Sequence, residues 1–438
     1  MDLSSPKGTQ DRYGEECELI NFLFSVIREE FRLHGAQELQ TPVFEKEEIL
    51  MGKYGEDEKL IFKLKKQGGT PYVLRYDHSV PFARYVAKNN LSFFTRFAIG
   101  QVYRRDNPSV AQGRMREFYQ ADIDYAGDYA TMVPESELLS IIYNVFHKIG
   151  IKDCVIQVSH RSILDGTFEI CGVKEGDIRS VSSSIDKLDK TPWNEVEKEL
   201  LETKNIDPEV VGKLKNLYGT NFSSYNVGEF EKIIYKNIGL EKSGAMKKVK
   251  HGLDSLKELS EILKIIEPSM NILWNLSLAR GLDYYTGLIY EVICPKHRDV
   301  GSISGGGRFD NLVNMFAKTR QIPCVGGSFG VDRIVAILRR IQEAKSTNNV
   351  VAYVTMPTDN GTSKLYAIEV ADKLRKRDIP TLLNMKRKFN LSSEIKWAAE
   401  KGIKYLIIVG EEEEKNDEIN VRNLTTRETT KMKIENFK

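Results

Sequence analysis

The chain has 438 residues, of which 41% are apolar and 29% are charged, and its formal net charge is +2. Such values indicate a globular protein with room for more than one domain and a substantial core. The near-neutral charge neither requires nor excludes a nucleic-acid partner, since acidic segments offset a basic face. No run of residues approaches the roughly eighteen uninterrupted apolar positions of a membrane-spanning helix, so we expect no membrane span.

The cysteines argue against a disulfide framework or a structural zinc site, because the five of them are widely spaced and form no Cys-x-x-Cys pair. The first residues lack both an apolar signal region and an arginine-rich, acid-poor character. We therefore expect a cytoplasmic protein with no protein-built metal site.

The N-terminal part alternates between helix and strand patterns. Apolar residues recur at helical spacing from Glu15 to His34, and an extended stretch with a proline runs from Gln37 to Phe44. Strand patterns at Lys59 to Leu64 and at Tyr72 to Tyr76 flank Gly68-Gly69, which predicts a hairpin.

The pattern of residues 93–125 predicts a strand, a polar loop and a second strand. Four arginines lie close to the two ends of the loop: Arg104, Arg105, Arg114 and Arg116. A guanidinium group matches phosphate oxygens and stays charged, so the pair predicts an anion clamp. The alternative is a solvated basic surface.

Helical patterns dominate the middle of the chain. A helix from Pro134 to Gly150 and a strand from Cys154 to Ser159 precede residues 164–250, where lysine- and glutamate-rich helices alternate with small residues and no strand of any strength appears. This composition predicts a helical insertion. Its lysines either face a phosphate backbone or form solvated surfaces.

An unusual run stands at Ala279-Arg280-Gly281-Leu282-Asp283-Tyr284-Tyr285-Thr286-Gly287. If this run is extended, side chains alternate, with Arg280 and Tyr284 on one side and Tyr285 on the other. Alone it is also compatible with a tyrosine-rich strand that carries one surface arginine.

A Gly305-Gly306-Gly307 strand follows, and the pattern predicts a helix that begins near Arg308. Farther on, Arg333 falls in the first turn of a helix predicted from Val331 to Glu343. Cations are normally disfavoured at that end, so Arg333 is expected to meet an external anion.

The last part alternates as strand, helix, strand, helix and strand from Val350 to Val409, which predicts a small parallel-sheet domain. Lys386-Arg387-Lys388 follows its second strand, where open α/β sheets place ligands. This basic loop either binds RNA phosphates or is a solvated surface run. No glycine-rich fingerprint accompanies the first strand, so a dinucleotide site is not indicated.

Taken together, these motifs resemble those of the histidyl-tRNA synthetases of the eukaryotic type, a family of class II aminoacyl-tRNA synthetases. The two histidine signatures stand at 279–287 and 304–310, and the second and third class II motifs stand at 103–120 and 330–333. The first class II motif, the long helix that leads to Pro42, is weak and implies a homodimer interface. The departures from the family pattern are small: His78-Ser79 stands where Leu-Thr is usual, Gly305 replaces an alanine, and Phe309 replaces a tyrosine.

The resemblance implies an α+β catalytic domain with an antiparallel sheet flanked by helices, a helical insertion, and a C-terminal α/β anticodon-binding domain. The implied limits are 1–163 and 251–345 for the two parts of the catalytic domain, 164–250 for the insertion and 346–438 for the last domain. The implied reaction is ATP-dependent ligation of L-histidine to tRNA(His) through a histidyl-adenylate, with Mg²⁺ on the ATP phosphates. The alternative is a catalytically silent, synthetase-like regulatory or tRNA-sensing protein.

The resemblance also implies roles for individual residues. Arg280 and Arg104 are the expected catalytic cations. The expected histidine-binding residues are Asp77, His78, Ser79, Arg104, Gln120, Asp124, Arg280, Tyr284 and Tyr285. The expected ATP-binding residues are Arg104, Asp106, Arg114, Phe118 and Arg333, with Phe118 stacked on the adenine.

Overall fold

A computed structural model describes residues 2–66, 68–220, 223–239, 243–281, 284–317, 320–342, 350–357, 363–388 and 390–437. The chain divides into two compact units, Met1–Arg340 and Ile341–Lys438. The helices of the first unit are α1 (Glu15–Leu33), α2 (Glu47–Leu50), α3 (Ser79–Lys88), α4 (Val133–Lys148), α5 (Arg161–Cys171), α6 (Ile178–Ile185), α7 (Trp193–Lys198), α8 (Pro208–Tyr218), α9 (Val227–Ile238), α10 (Gly244–Ile266) and α11 (Val331–Gln342). Its strands are β1 (Gln37–Glu38), β2 (Phe44–Lys46), β3 (Tyr72–Leu74), β4 (Phe94–Tyr103), β5 (Glu117–Ala126), β6 (Val155–His160), β7 (Ser223–Ser224), β8 (Ile272–Asn275), β9 (Leu288–Ile293), β10 (Ser302–Arg308) and β11 (Cys324–Gly330).

A nine-stranded sheet organises the first unit, in the order β1-β4-β5-β11-β10-β9-β6-β8-β7. Its central neighbours β4, β5, β11, β10, β9 and β6 all pair antiparallel. Helices α1 and α4 cover one face, where Phe31 lies 5.4 Å from Phe97 and 6.0 Å from Phe329, ring centre to ring centre. The predicted α+β fold with an antiparallel sheet is therefore confirmed, and the opposite face of β5 and β11 remains for a site.

Three predicted elements differ in the structure. The Lys59 to Leu64 strand differs at its start, because Lys59 and Leu60 belong to a 3-10 helix (Gly55–Leu60). The rest pairs as the predicted hairpin requires: Lys63 forms an antiparallel bridge with Val73, and Leu64 and Leu74 donate backbone hydrogen bonds to Tyr72 and Phe62 at 3.0 and 2.9 Å. The helix expected to begin near Arg308 does not occur in the described residues 308–317. Strand β10 runs to Arg308, and only a short 3-10 helix (Val313–Met315) follows.

The described residues of the run at 279–287 form a turn at Gly281 rather than a strand. Gly281 has a φ of +63°, a left-handed conformation that favours glycine, and its carbonyl accepts hydrogen bonds from the backbone N–H groups of Tyr284 and Tyr285 at 2.9 and 2.8 Å. The condition for alternating side chains, an extended run, is therefore not met at Gly281. Its members Leu282 and Asp283 lie outside the described residues.

The region predicted as an insertion contains α5 to α10 within the first unit. Both expected limits, 164 and 250, fall inside continuous helices, and the domain limits stay predictions. The region also contains a strand that the sequence pattern missed, the two-residue β7, which pairs with β8.

The second unit is a five-stranded sheet in the order β13-β12-β14-β15-β16. Its elements are β12 (Ala352–Thr355), α12 (Lys364–Arg375), β13 (Thr381–Leu383), α13 (Leu391–Glu400), β14 (Tyr405–Ile408), α14 (Glu411–Asn416), β15 (Ile419–Asn423) and β16 (Thr429–Met432). Strands β12, β13 and β14 pair parallel, which confirms the predicted strand–helix alternation. No helix in the described parts of either unit is long and apolar enough to cross a membrane.

Candidate active site

The floor of the candidate site is one face of β5. Gln120, Asp122 and Asp124 alternate along this strand and therefore share a face. Their partners in β11 are Gly330, Ser328 and Gly326. The absence of bulky side chains on this part of β11 leaves space above the three polar residues of β5.

That space is a cleft of about 630 Å³ in the first unit. The predicted site residues that line it are Asp77, Ser79, Arg104, Asp106, Arg114, Phe118, Gln120, Arg280, Tyr284, Tyr285 and Arg333. The fold thus brings together residues from β5, the loop before it, α3, α11 and the turn at Gly281.

Two predicted site residues, His78 and Asp124, lie just behind the cleft lining. The His78 side chain is buried, and its Nε2 is 3.3 Å from the carbonyl oxygen of Gly100. Its backbone carbonyl accepts a hydrogen bond from Arg96 at 2.9 Å. Asp124 is also buried and forms an ion pair with the same Arg96. Arg96 therefore connects both residues beneath the floor.

Four arginines share the cleft: Arg104, Arg114, Arg280 and Arg333. The pKa of Arg333 is lowered by burial and then by the positive charges of the other three. Its Nη1 donates to the carbonyl oxygen of Ser302 at 2.6 Å, which orients the group without neutralising it. Such mutual repulsion in a concave site is relieved by a polyanion.

Aromatic rings and an amide hold Arg104 in place. Its guanidinium carbon lies 4.2 Å from the centre of the Tyr76 ring and 5.2 Å from that of Phe118. Its Nη2 donates to Gln120 Oε1 at 3.2 Å, and the Gln120 amide donates to Ser328 Oγ at 2.6 Å. This arrangement presents a fixed cation beside a flat aromatic surface.

Asp106 and Arg114 form a pair at the mouth of the cleft. Arg114 Nε donates to Asp106 Oδ2 at 2.8 Å, and the Arg114 side chain is half-exposed. A bound anion is able to separate this exposed ion pair, because exposed ion pairs contribute little to stability.

Arg280 is held by carboxylates from two different elements. Its Nη1 donates to Glu291 of β9 and lies 3.3 Å from Ser302 Oγ, and its Nη2 lies 3.9 Å from Asp186. Burial lowers the pKa of Arg280, but Glu291 and Asp186 outweigh this effect and raise it. The guanidinium is thus anchored at two points while it borders the cleft.

Carboxylates gather at the opposite part of the cleft. Asp77 Oδ1 accepts hydrogen bonds from the Tyr54 hydroxyl at 2.9 Å and from the backbone N–H of Val80 at 3.1 Å. Burial raises the pKa of Asp122 to about 6 and that of Asp124 to about 7, although Arg96 opposes both shifts. Negative charge at this end suits an ammonium group or a ring N–H donor.

Sequence reasoning missed several residues of the site: Tyr54, Arg96, Asp122, Asp186 and Glu291. Asp122 carries a usable signal, because it stands midway between Gln120 and Asp124 in a strand and must share their face. The others come from separate elements, and nothing in their local sequence indicates where they lie.

The sheet is antiparallel and has a cleft on its open face, and arginines from the loop before β5 and from the start of α11 line this cleft. These features define the fold and site of a class II aminoacyl-tRNA synthetase. Comparisons with known proteins then define the family. A histidyl-tRNA synthetase family model matches residues 8–334, and an anticodon-binding domain model matches residues 350–438. The chain belongs to the histidyl-tRNA synthetase family, as the sequence motifs indicated.

Individual relatives span nearly the whole chain. The mitochondrial histidine–tRNA ligase of Saccharomyces cerevisiae is 40% identical over 97% of this chain and 83% of its own length. The cytoplasmic histidine–tRNA ligase of Dictyostelium discoideum is 38% identical over 100% of this chain and 90% of its own length. The crystal structure of histidyl-tRNA synthetase from Nostoc sp. PCC 7120 has a TM-score of 0.81 and 26% identity, and the match covers 99% of this chain and 98% of that one.

Proposed function

We propose that the cleft joins L-histidine to ATP and that the protein then transfers the histidyl group to tRNA(His). The observation that carries this proposal is the placement of four arginines beside a group of buried carboxylates in one cleft. A triphosphate requires the first group of charges, and the ammonium and ring N–H groups of histidine require the second.

ATP occupies the arginine-lined part in this proposal. Phe118 stacks on the adenine, and Asp106 contacts the adenine amino group. Arg104 binds the α-phosphate, while Arg114 and Arg333 bind the distal phosphates. Opening of the exposed Arg114–Asp106 pair frees both side chains for these contacts.

Histidine occupies the part near Asp77 and the tyrosines. Asp77, with Ser79 and Gln120, receives the α-ammonium group, and Asp124 with Tyr284 and Tyr285 reads the imidazole ring. His78 contributes through its backbone. Asp124 lies behind the lining residues, and its pairing with Arg96 sets its orientation. A site that hydrogen-bonds both ring nitrogens rejects analogues without them by about four to five orders of magnitude.

The reaction has two steps. A carboxylate oxygen of histidine attacks the α-phosphorus of ATP in line, and the bond to the β-phosphate oxygen breaks, so that pyrophosphate leaves with the electron pair. The 3′-hydroxyl of the terminal tRNA ribose then attacks the adenylate carbonyl carbon, loses its proton, and displaces AMP. Arg280 and Arg104 stabilise the charge that develops on the phosphoryl oxygens, so positioning and fixed charge account for the rate.

Magnesium enters as part of the substrate. No cluster of three His, Cys, Asp or Glu side chains that suits a metal ion occurs among the described residues. In this proposal the phosphate oxygens of ATP hold the Mg²⁺ ion, so that MgATP is the substrate.

The tRNA contacts in this proposal come from the second unit and from the helical insertion. In the second unit, Lys386 binds the buried carboxylate of Glu394 at 2.7 Å. Arg387 and Lys388 are thus the members of the basic loop proposed to meet RNA phosphates.

A homodimer is proposed from apolar side chains exposed on the first unit. Phe44 and Tyr72 pack edge to face, 5.5 Å apart, and both are substantially exposed on the small β2–β3 sheet. Val43 and Leu64 beside them are also exposed. Sedimentation of wild type and Phe44→Glu tests this face: a dimer that dissociates in the variant supports it, and an unchanged mass contradicts it.

The proposed compartment is the cytoplasm, although relatives of similar identity carry both cytoplasmic and mitochondrial names. Imaging of a C-terminally tagged chain tests this, and an exclusively mitochondrial signal contradicts it.

Pyrophosphate exchange with each amino acid in turn tests the central proposal. We expect exchange that depends on histidine, and we expect Arg280→Ala to abolish it while the fold stays intact. Exchange with no amino acid contradicts the proposal. It would favour the alternative of a catalytically silent regulatory protein, which the family assignment does not favour. Exchange with a different amino acid contradicts the histidine assignment alone.

A further inference from the structure

The helical insertion contacts the turn that carries Arg280. Ser182 of α6 donates a hydrogen bond from its hydroxyl to the carbonyl oxygen of Ala279 at 3.1 Å, and both residues are buried. Asp186, in the 3-10 turn that follows α6, lies 3.9 Å from Arg280 Nη2. Ser182 of the insertion thus contacts the backbone of Ala279, and Asp186 of the insertion contacts the side chain of the next residue, Arg280.

The geometry at Arg280 gives Asp186 a separate role from Glu291. Glu291 and Ser302 engage Nη1, whereas Asp186 faces Nη2. An arginine side chain is long and flexible, so a single anchored nitrogen leaves the plane of the guanidinium free to rotate. A second carboxylate restricts that rotation. It also fixes which edge of the guanidinium group faces the cleft.

On its other side, α6 is fixed to the body of the insertion. Ser184 donates to Glu199 at 2.9 Å, and Lys187 and Lys204 bind the same carboxylate at 2.6 and 3.0 Å. Burial raises the pKa of Glu199, but Lys187, Lys204 and Ser184 outweigh this effect and lower it to about 2. Lys204 also donates to the carbonyl oxygen of Ser180 in α6. A continuous set of contacts therefore links the insertion to Arg280.

We propose that Asp186 is a positioning residue for adenylate formation, and that the insertion sets the orientation of Arg280 through α6. This inference rests on the proposed role of Arg280. At 3.9 Å the contact is too long for a hydrogen bond, so it acts through charge. A carboxamide at position 186 therefore loses the effect, whereas the longer carboxylate of glutamate retains it.

The test is pyrophosphate exchange by the full chain with Asp186→Asn and Asp186→Glu. Because orientation matters most in the transition state, we expect Asp186→Asn to lower kcat about 10-fold while KM for ATP and for histidine changes less than about twofold. Asp186→Glu is expected to recover most of kcat. A purely structural role predicts instead a lower unfolding temperature and no recovery by glutamate, and that result overturns the proposal.

Asp189→Asn is the matched control. Asp189 lies in the same 3-10 turn, its side chain is 40% exposed, and it pairs with the neighbouring Lys190 at 3.4 Å. The substitution removes the same charge, and the charge of Asp189 also acts on Arg280, but from beyond ion-pair distance. Exchange is therefore expected to fall much less than in Asp186→Asn. Equal losses in Asp186→Asn and Asp189→Asn show a general field effect and overturn the proposal.

Arg280 variants separate this inference from the proposed function. In an Arg280→Lys background, Asp186→Asn is expected to have a much smaller effect than in wild type, because the partner geometry is already lost. Additive effects overturn the coupling. If Arg280→Ala abolishes exchange but Asp186→Asn does not change it, the inference alone is wrong. If Arg280→Ala leaves exchange intact, the proposed role of Arg280 is wrong.

Ser182→Ala provides a second variant that removes no charge. It breaks the hydrogen bond to Ala279 and is expected to lower kcat in the same direction by a smaller factor, which keeps the proposal testable if Asp186→Asn does not fold. In that case, an unchanged kcat in folded Ser182→Ala refutes the proposal.

Discussion

Gly326 of β11 lies directly opposite Asp124 of β5, and a Cβ atom on Gly326 would lie 2.0 Å from Asp124 Oδ1. No heavy atom tolerates that distance, so any side chain at Gly326 forces Asp124 to move. The movement breaks the orientation that Arg96 gives to Asp124. A glycine in the strand is thus required by the carboxylate next to it.

Gly326→Ala is therefore expected to raise KM for histidine about 10-fold or more, which corresponds to about 1.4 kcal/mol of binding, and to change KM for ATP little. Asp124→Ala is expected to show the same selectivity. Pyrophosphate exchange at varied histidine and at varied ATP measures both. Equal effects on the two substrates would move Asp124 out of the imidazole pocket.

Gly305→Ala is the control for this prediction. Gly305 lines the same cleft, but a Cβ there meets only the carbonyl oxygen of Tyr290 at 3.5 Å, an ordinary contact. Its kinetic constants are expected to stay near those of wild type. A loss as large as that of Gly326→Ala would mean that any added methyl group blocks the cleft.

Arg333→Ala tests the anion-binding end of the cleft. Charge-assisted hydrogen bonds contribute about 1.5–3 kcal/mol, so kcat/KM for ATP is expected to fall roughly 10- to 100-fold while KM for histidine is retained. Arg339→Ala is a matched control, because Arg339 lies on the same helix α11, is half-exposed and pairs with Glu16. A greater effect on histidine than on ATP would contradict the assignment.

Asp122→Asn tests the effect of burial on a carboxyl group. Burial raises the pKa of Asp122 to about 6 from 3.8. The folded state of the wild type therefore binds a proton that the unfolded state has lost, and stability falls as the pH rises from about 4 through about 6. Asparagine has no such loss, so the variant is expected to be more stable at pH 8, by of order 1–3 kcal/mol, and to lose this advantage towards pH 4.5.

Thermal unfolding of the free protein between pH 4.5 and pH 8 measures this difference. Asp128→Asn is the control, because Asp128 follows the same strand β5 but its side chain is exposed. An advantage that grows as the pH falls, or one that is the same in Asp128→Asn, would show that Asp122 does not carry the shifted proton.

The basic loop of the second unit is expected to divide into two functions. Lys386 binds the buried Glu394, which also accepts a hydrogen bond from Tyr353 at 2.6 Å. Lys386→Ala is therefore expected to lower the stability of the second unit by about 1 kcal/mol, a value kept small because the lysine is half-exposed. Its effect on aminoacylation should be small at temperatures where the unit stays folded.

Arg387→Ala with Lys388→Ala is expected to do the reverse, raising KM for tRNA while leaving thermal unfolding unchanged. Aminoacylation at several salt concentrations measures the contact, since loss of phosphate contacts weakens the dependence of binding on salt. Unchanged aminoacylation would make these two residues part of a solvated surface.

Many of the expected site residues stand in sequence motifs that resemble those of the family. Gln120 and Asp124 are four residues apart, two periods of a strand, and Arg333 lies in the first turn of the helix that follows Gly330 at the end of β11. The turn at Gly281 did not follow, because a short tyrosine-rich run is equally compatible with a strand until a left-handed glycine conformation is known.

The amino-acid sequence by itself determined the family, the α+β class, and the identity of eleven residues that line the cleft, since those depend on motifs and on periodic burial. Only the tertiary structure decided which distant side chains complete the site. Asp186, Glu291 and Arg96 reach Arg280 and Asp124 from other elements of the chain, 94, 11 and 28 residues away. Ion pairs across such separations depend on how the sheet and the insertion pack, and packing leaves no local pattern in the sequence.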